Sequence, residues 1–438
     1  MNFIVVALSA VVSGRSAWLL IGFVGQAYFM GLSAIWAVVG YIFVEFFLFV
    51  FYAPKLRAFA EKFNCITIPD FFAARFNDYK GHLRMLIVII FTIFMITYLS
   101  AQFLAGGKAF FAYFGLPRGT GIAITATIVL IYTIWGGFLA VSLTDVLQAI
   151  VMMVALIGLP IIAIQDRGGV EVVYRELSEL DPAYFNPLAF GLGSLISFVG
   201  IGLGSPGNPH ILIRYMSIKN SKHLKWSAII ATIWNIFLAG GAFLVGILAR
   251  SYFPESYMLP NGDIENAYIA LAKLLLPTAL VGIILASVFA AIMSTADSQL
   301  LVAASSLVRD LYQKILFKRR KIPEYKLIFY SRIAVGLLVY LAVILGLVVK
   351  DLVFWFVLFA WAGLGAAIGP TSILALYRKR TTKNGVMAGM IAGVLTVFLW
   401  KSSAYLSEWL YELIPGFMAG WIVTFWVSEV DLWWRKGE

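Results

Sequence analysis

The chain has 438 residues, 62% of them hydrophobic and only 13% charged, with a mean hydropathy of +0.92. Soluble globular domains are nearer about 45–50% apolar and about 25% charged, so the composition excludes a soluble fold and predicts an all-α integral membrane protein. Long unbroken apolar runs exclude a membrane β-barrel, whose strands alternate in polarity, and the single cysteine, Cys65, excludes an intrachain disulfide and a thiolate metal cluster. His82, His210 and His223 are too few and too scattered for a zinc site. Met1 runs straight into an apolar segment, with no sign of a cleaved signal peptide.

Apolar runs lie at about 3–24, 33–53, 83–114, 120–140, 142–164, 186–212, 225–249, 278–308, 327–349, 352–377, 384–402 and 413–430. At roughly twenty residues per crossing they predict about twelve transmembrane helices in a single membrane domain spanning 1–438. Loop charge supports an even count. Numbering alternately from a cytoplasmic start puts Lys55, Arg57, Lys62, Arg75, Lys80 and Arg84 inside. Arg214, Lys219, Lys222 and Lys225 join them, then the stretch from Arg309 to Arg332 with Lys318, Arg319, Arg320 and Lys321. Arg378, Lys379, Arg380 and Lys383 follow, and finally Arg435 and Lys436. Asp166, Glu171, Glu176, Glu179, Asp181, Glu255, Asp263 and Glu265 fall on the opposite side. That is the bias of cytoplasmic loops. The net charge of +11 is therefore topology rather than a nucleic-acid signal, and it predicts a multi-pass protein of the cell (inner or plasma) membrane with both termini cytoplasmic. The outer loops at about 165–185 and 251–277 have room for short helices. The inner segment 54–81, with Phe59, Phe63, Ile66, Ile68, Phe71 and Phe72 opposite basic residues, predicts a helix lying on lipid headgroups.

Two spans look interrupted. One break falls at Val11–Ser16 in span one and the other at Gly200–Pro209 in span six. A membrane helix must satisfy its own backbone, so breaks occur where protein or a watery cavity supplies partners. If spans one to five and six to ten are two repeats (about 3–164 and 186–377, with extra helices at about 384–430), the breaks take corresponding places. Paired broken helices point to an inverted-repeat transporter with its site at mid-membrane. Arg15, Glu45, Asp145 and Asp297 are ionisable residues at membrane depth, where each costs at least a few kcal/mol; Lys108 is near enough to the outer end to snorkel. Arg15 could bind a substrate carboxylate, serve as a fixed cation, or pair with Asp145, Asp297 or Glu45, whereas Glu45 reads as structural. In span eight, Ser294 and Thr295 are hard oxygen donors for an alkali cation, or else ordinary hydroxyls bonded to carbonyls one turn earlier.

The stretches LSAVVSGRSAWLLIG (8–22), TIPDFFAARF (67–76), GGFLAVSLTDVLQ (136–148), GLGSPGNPHILIRYM (202–216), AAIMSTADSQLLV (290–302) and AWAGLGAAIGP (360–370) carry a resemblance. In this order the chain resembles the sodium:solute symporter family, and its proline-symporter branch most. The resemblance implies a leucine-transporter-like fold of two inverted five-helix repeats plus two C-terminal helices. It also implies a sodium site made by carbonyls of Val12, Arg15 and Ala291 and hydroxyls of Ser294 and Thr295. Asp145 would correspond to the family's functional aspartate, and Ile201, Ser205, Asn208 and Pro209 to its solute-lining stretch, with Arg15 a further candidate on the solute side.

The chain departs from the family pattern in three places. The family ordinarily has one helix before the first broken one, whereas here Phe3–Val12 offers a half-helix of about 15 Å. Gly14 and Arg15 stand where proline symporters carry an acidic residue and Met. A guanidinium about 5 Å from a sodium ion would repel it by about 3 kcal/mol at an effective dielectric near 20 unless it turns away or is neutralised. Ile201 and Ser205 replace the aromatic pair of the proline pocket. The expected function is sodium-coupled symport of a small organic solute, proline-like or another carboxylate, by alternating access. The alternatives are a sodium-independent proton-coupled or exchange carrier in which Arg15 replaces the ion, and a membrane sensor or receptor module. No catalytic constellation converges, so an enzyme is not expected, and the partners expected are the solute and the lipid bilayer, with no nucleic acid.

Overall fold

The computed structural model describes residues 1–318 and 322–437, with side chains as far as Trp434. Arg319, Arg320, Lys321 and Glu438 lie outside the described residues, as do the side chains of Arg435 and Lys436. Among the described residues the structure consists of helices joined by short turns and loops, with no strand, and ten stretches are long and apolar enough to cross a membrane. The expected count was twelve, and the difference has two physical sources. Phe3–Lys62 is a single 60-residue stretch by length and composition, yet it doubles back. Arg15 and Glu45 would stand about 45 Å apart on one straight helix, whereas their side chains meet at 2.7 Å. The reversal is at Gly31, whose φ of 61° is open to glycine and strained for other residues; next to it, the Leu32 N–H donates to the Tyr184 carbonyl at 2.8 Å. The second source is span six, whose longest apolar helical piece, Leu192–Gly207, is cut short by a break.

Both expected interruptions are present. Helix Phe3–Ala17 is kinked at Ser16, at φ 40° and ψ −173°, and a wide-turn π-helix, Trp18–Phe23, follows. Side chains take up the freed backbone groups. The Ala17 N–H donates to Gln102 Oε1 at 3.0 Å, and the Trp18 N–H donates to Ser16 Oγ at 3.0 Å. Span six runs as Leu192–Gly200, a tight 3-10 segment Ile201–Gly207, extended Asn208, and the half-helix Pro209–Ser217. Here the Trp361 indole N–H donates to the Ile201 carbonyl at 2.8 Å, and the Asn208 amide donates to the Gly204 carbonyl at 2.8 Å. Gly204 must be glycine, because a Cβ there would overlap the Trp361 ring.

The two long loops expected to be outer carry the short helices Val170–Leu180 and Ala267–Leu275. Just before the latter, buried Glu265 accepts from the backbone N–H groups of Val353 and Phe354, each at 2.9 Å, and from Lys108 Nζ at 2.6 Å. Burial pushes the Glu265 carboxyl above the usual carboxylate range, although Lys108 and the two amides oppose it. The inner segment corrects an expectation. It forms helices Ala53–Lys62 and Ile68–Arg75, but Leu56, Ala60, Ile68, Phe71 and Phe72 are buried in the protein, and Phe63, Ile66 and Tyr79 are the large residues of the segment that are well exposed. An amphipathic face seeks an apolar cover, and here the neighbouring helices provide it instead of lipid. Ionic contacts add to the hold: Asp70 pairs with Arg84 at 2.8 Å and with Lys314.

Candidate ion and solute sites

Spans one and eight meet below the first break. Ser294 Oγ, on Thr278–Ser305, donates to the Val12 carbonyl at 3.2 Å and to its own helix at Ala291 O, 3.1 Å. Thr295 Oγ1 donates across to the Ser13 carbonyl at 3.0 Å. Ordinary back-bonding therefore accounts for half of Ser294 and none of Thr295. Five oxygens, two hydroxyls and three carbonyls, converge in a site with no exposed side chain. A hydroxyl can rotate its hydrogen away and present lone pairs, so these atoms form a hard-oxygen set that fits an alkali cation. Val12, Ala291, Ser294 and Thr295 thus come together as expected. The Arg15 carbonyl does not join them: it accepts from the Trp18 N–H, and Ser13 takes its place facing Thr295.

Asp145, on Phe138–Asp166, lies beside this set and is joined to it through Ser13. Its Oδ2 accepts from Ser9 Oγ at 2.6 Å, Ser13 Oγ at 3.4 Å and Arg214 Nη2 at 3.0 Å, while Oδ1 is buried without a partner. Ser298 Oγ donates to the Ser294 carbonyl at 2.7 Å and accepts from Arg214 Nη2 at 2.6 Å. Arg214 corrects another expectation: counted with the inner-loop charges, it is instead fully buried between spans. Ser9, Ser13, Ser298 and Arg214 are site residues that the sequence reading missed. The available signal was spacing, since Ser9 and Ser13, like Ser294 and Ser298, lie four apart on one helix face.

Arg15 turns away from the ion site. Its Nη2 meets Glu45 Oε2 at 2.7 Å, its Nε donates to Asn235 Oδ1 at 2.7 Å, and its guanidinium carbon stacks 3.2 Å from the Tyr41 ring centre. Asn235 Nδ2 completes the triangle by donating to Glu45 Oε2 at 2.5 Å. Of the three pairings left open, the structure therefore has the one with Glu45, and the charge of Arg15 is neutralised within the protein. Asp297 is held separately, accepting from Thr133 Oγ1 at 2.7 Å.

A cavity between the broken helices is lined by Gly14, Trp18, Tyr41, Tyr98, Ile201, Val357, Leu358 and Trp361, and at about 10 Å³ it has room for about one water. Ile201 lines it as expected, but Arg15 does not. Ser205 Oγ and Asn208 Oδ1 are buried without partners, as are the nearby Trp18 and Tyr41 polar atoms. Pro209 belongs elsewhere, to a cavity of about 850 Å³ that also touches Cys65, Thr133, Phe138, Ile213, Leu301 and Arg309. That larger cavity lies among the basic loops, at the ends of spans four, five, six and eight that carry Arg309 and Arg332 nearby.

The model of the sodium:solute symporter family matches residues 1–393. The high-affinity proline transporter PutP of Bacillus subtilis (strain 168) is 39% identical over 426 residues, covering 97% of this chain and 89% of the relative. The osmoregulated proline transporter OpuE of the same organism is 37% identical, with coverage of 97% and 87%. A sodium/proline symporter of Staphylococcus aureus is 36% identical, with coverage of 97% and 85%. Among solved structures, a Na+-coupled sialic acid symporter superposes with a TM-score of 0.80 at 17% identity, covering 98% of this chain and 90% of that one. MHP1, a nucleobase-cation-symport-1 family transporter, does so with a TM-score of 0.63 at 12% identity, covering 98% and 93%. The fold is the leucine-transporter-like one.

Proposed function

The chain belongs to the sodium:solute symporter family, and from that premise we propose that it moves a small carboxylate-bearing solute, proline-like in size, by sodium-driven alternating access. The observation that carries this reading is the reach of the Ser294 and Thr295 hydroxyls to the Val12 and Ser13 carbonyls beside the first break. The proline transporters among its relatives support the solute class. The substitutions at Ile201 and Ser205 leave the solute's exact identity to the aromatic cavity.

In this reading, sodium is cargo held by Val12, Ser13, Ala291, Ser294 and Thr295, with Asp145 supplying nearby negative charge. The solute sits against Trp18, Tyr41, Tyr98, Ile201 and Trp361, with Ser205 and Asn208 offering polar atoms that have no other partner. Ion and solute contacts share span one, with Val12 and Ser13 on the ion and Gly14 and Trp18 on the solute cavity. Filling one site orders the break that builds the other, and this gives the coupling a path. The 850 Å³ cavity is the inward exit, and its lining by Pro209 and Ile213 places the half-helix of span six at its wall. The pairing of Arg15 with Glu45 favours sodium over the reading in which Arg15 replaces the ion, because a neutralised guanidinium does not repel a second cation.

The test is uptake into proteoliposomes of proline and related small carboxylates, with sodium or choline outside. Sodium-dependent accumulation of one of them is expected; accumulation equal in choline overturns the coupling.

A further inference from the structure

We propose that Arg214 is a tethered cation that holds the Asp145 carboxylate when sodium is absent, so that guanidinium and ion take this carboxylate in turn. The proposal rests on the sodium-symport reading above. The guanidinium is fully buried and uses every nitrogen: Nε donates to Ser9 Oγ at 2.6 Å, Nη2 to Ser298 Oγ at 2.6 Å and to Asp145 Oδ2 at 3.0 Å, and Nη1 to the His210 carbonyl. From one half-helix it therefore clamps spans one, five and eight. The oxygens it meets, a carboxylate, two hydroxyls and a carbonyl, are also those that suit an alkali cation. Asp145 Oδ1, buried with no partner, keeps capacity for one more cationic contact.

Charge balance makes the two occupants exclusive. One carboxylate neutralises one positive charge, and a second cation beside it would be a buried net charge, among the costliest states in a protein interior. The other acid at this depth, Asp297, is turned onto Thr133 at 2.7 Å. The fold also gives Arg214 freedom to leave. It lies beyond the Asn208 break, on the half-helix Pro209–Ser217, whose Pro209, Ile213, Met216 and Ser217 line the inner cavity. Phe138, with its ring 5.8 Å from the guanidinium, lines the same cavity, so Arg214 sits at its buried end. There it can take over the carboxylate as sodium departs inward, which speeds release and keeps the empty site neutral.

The experiment measures radiolabelled sodium binding to the purified full chain in lipid nanodiscs, alongside net uptake and solute exchange in proteoliposomes. Arg214→Gln is expected to bind sodium at least tenfold more tightly than wild type, with net uptake reduced and exchange retained. Arg214→Lys keeps the charge and should stay within about threefold of wild type. Ser9→Ala removes the Nε acceptor and also a hydrogen bond to Asp145 Oδ2, both of which compete with an ion for this carboxylate, so it should tighten binding several-fold and carries the test if Arg214→Gln does not fold. Wild-type binding with no tightening in the folded variants overturns this proposal alone. Binding that appears only in Arg214→Gln supports it, and binding in neither overturns both this proposal and the symport reading.

Discussion

Arg15 and Glu45 form a buried ion pair across the first reversal of the chain, 2.7 Å from Nη2 to Oε2, with Asn235 bonded to both partners. Each side chain is at most 2% exposed. Removing one partner strands the other charge, so Arg15→Met is expected to lower stability by about 3–5 kcal/mol. The double variant Arg15→Met, Glu45→Gln should recover most of that loss and retain sodium-dependent uptake. Thermal unfolding of the single and double variants measures the coupling, and simple additivity would show that the pair is not energetically linked.

Thr295 is bonded only across to span one, and the symport reading gives it to the ion. Thr295→Ala should raise the sodium concentration for half-maximal uptake tenfold or more, equivalent to about 1.4 kcal/mol. At saturating sodium the half-saturating solute concentration should be unchanged. Thr295→Ser keeps the hydroxyl and should sit close to wild type.

Gly204 lies against the Trp361 indole, which in turn holds the Ile201 carbonyl. Gly204→Ala would push the ring off the wall of the solute cavity, at an overpacking cost of about 1–3 kcal/mol. Solute affinity should fall more than sodium affinity, a split readable from ligand-induced shifts in melting temperature.

Cys65, the chain's single cysteine, lines the 850 Å³ cavity. Burial pushes its thiol up to about 11, with the nearby Asp70 charge adding to the effect. Maleimide labelling should therefore be slow at neutral pH and accelerate as pH rises. Sodium plus solute, by drawing the carrier away from its inward arrangement, should slow it further; labelling indifferent to both would argue against cavity closure.

Burial alone would raise the Asp70 carboxyl, but Lys314 and Arg84 outweigh it and hold the group at about 2. The folded value lies below the unfolded one, near about 3.9, so the contribution to stability is complete above about pH 4 and is lost as pH falls toward 2. The melting temperature of wild type relative to Asp70→Asn should be flat from pH 5 to 8 and converge only in strong acid.

Much of the fold was legible because its signals are local. Spans follow from apolar length, and both breaks follow from short runs of Gly, Pro and Ser that cannot continue a helix. Val12, Ala291, Ser294 and Thr295 followed from a resemblance carried by contiguous motifs. The clamp around Asp145 was not legible for a different reason. Arg214, five residues before Lys219 where the basic loop begins, reads as loop charge until the half-helix is seen to point it inward, and Ser9, Ser13 and Ser298 look like hydroxyls bonded to their own helices. The inner segment 54–81 failed similarly, since an apolar stripe does not say whether lipid or protein covers it. Arg15 had three acidic candidates, and only the hairpin at Gly31 selects Glu45.

The Glu265 side chain occupies the start of helix Val353–Tyr377, capping two otherwise free amides while an ammonium sits on the same carboxylate. One carboxylate thereby ties the start of helix Val353–Tyr377 to Lys108 on His82–Phe114, and parting either contact would strand a buried acid without its partner.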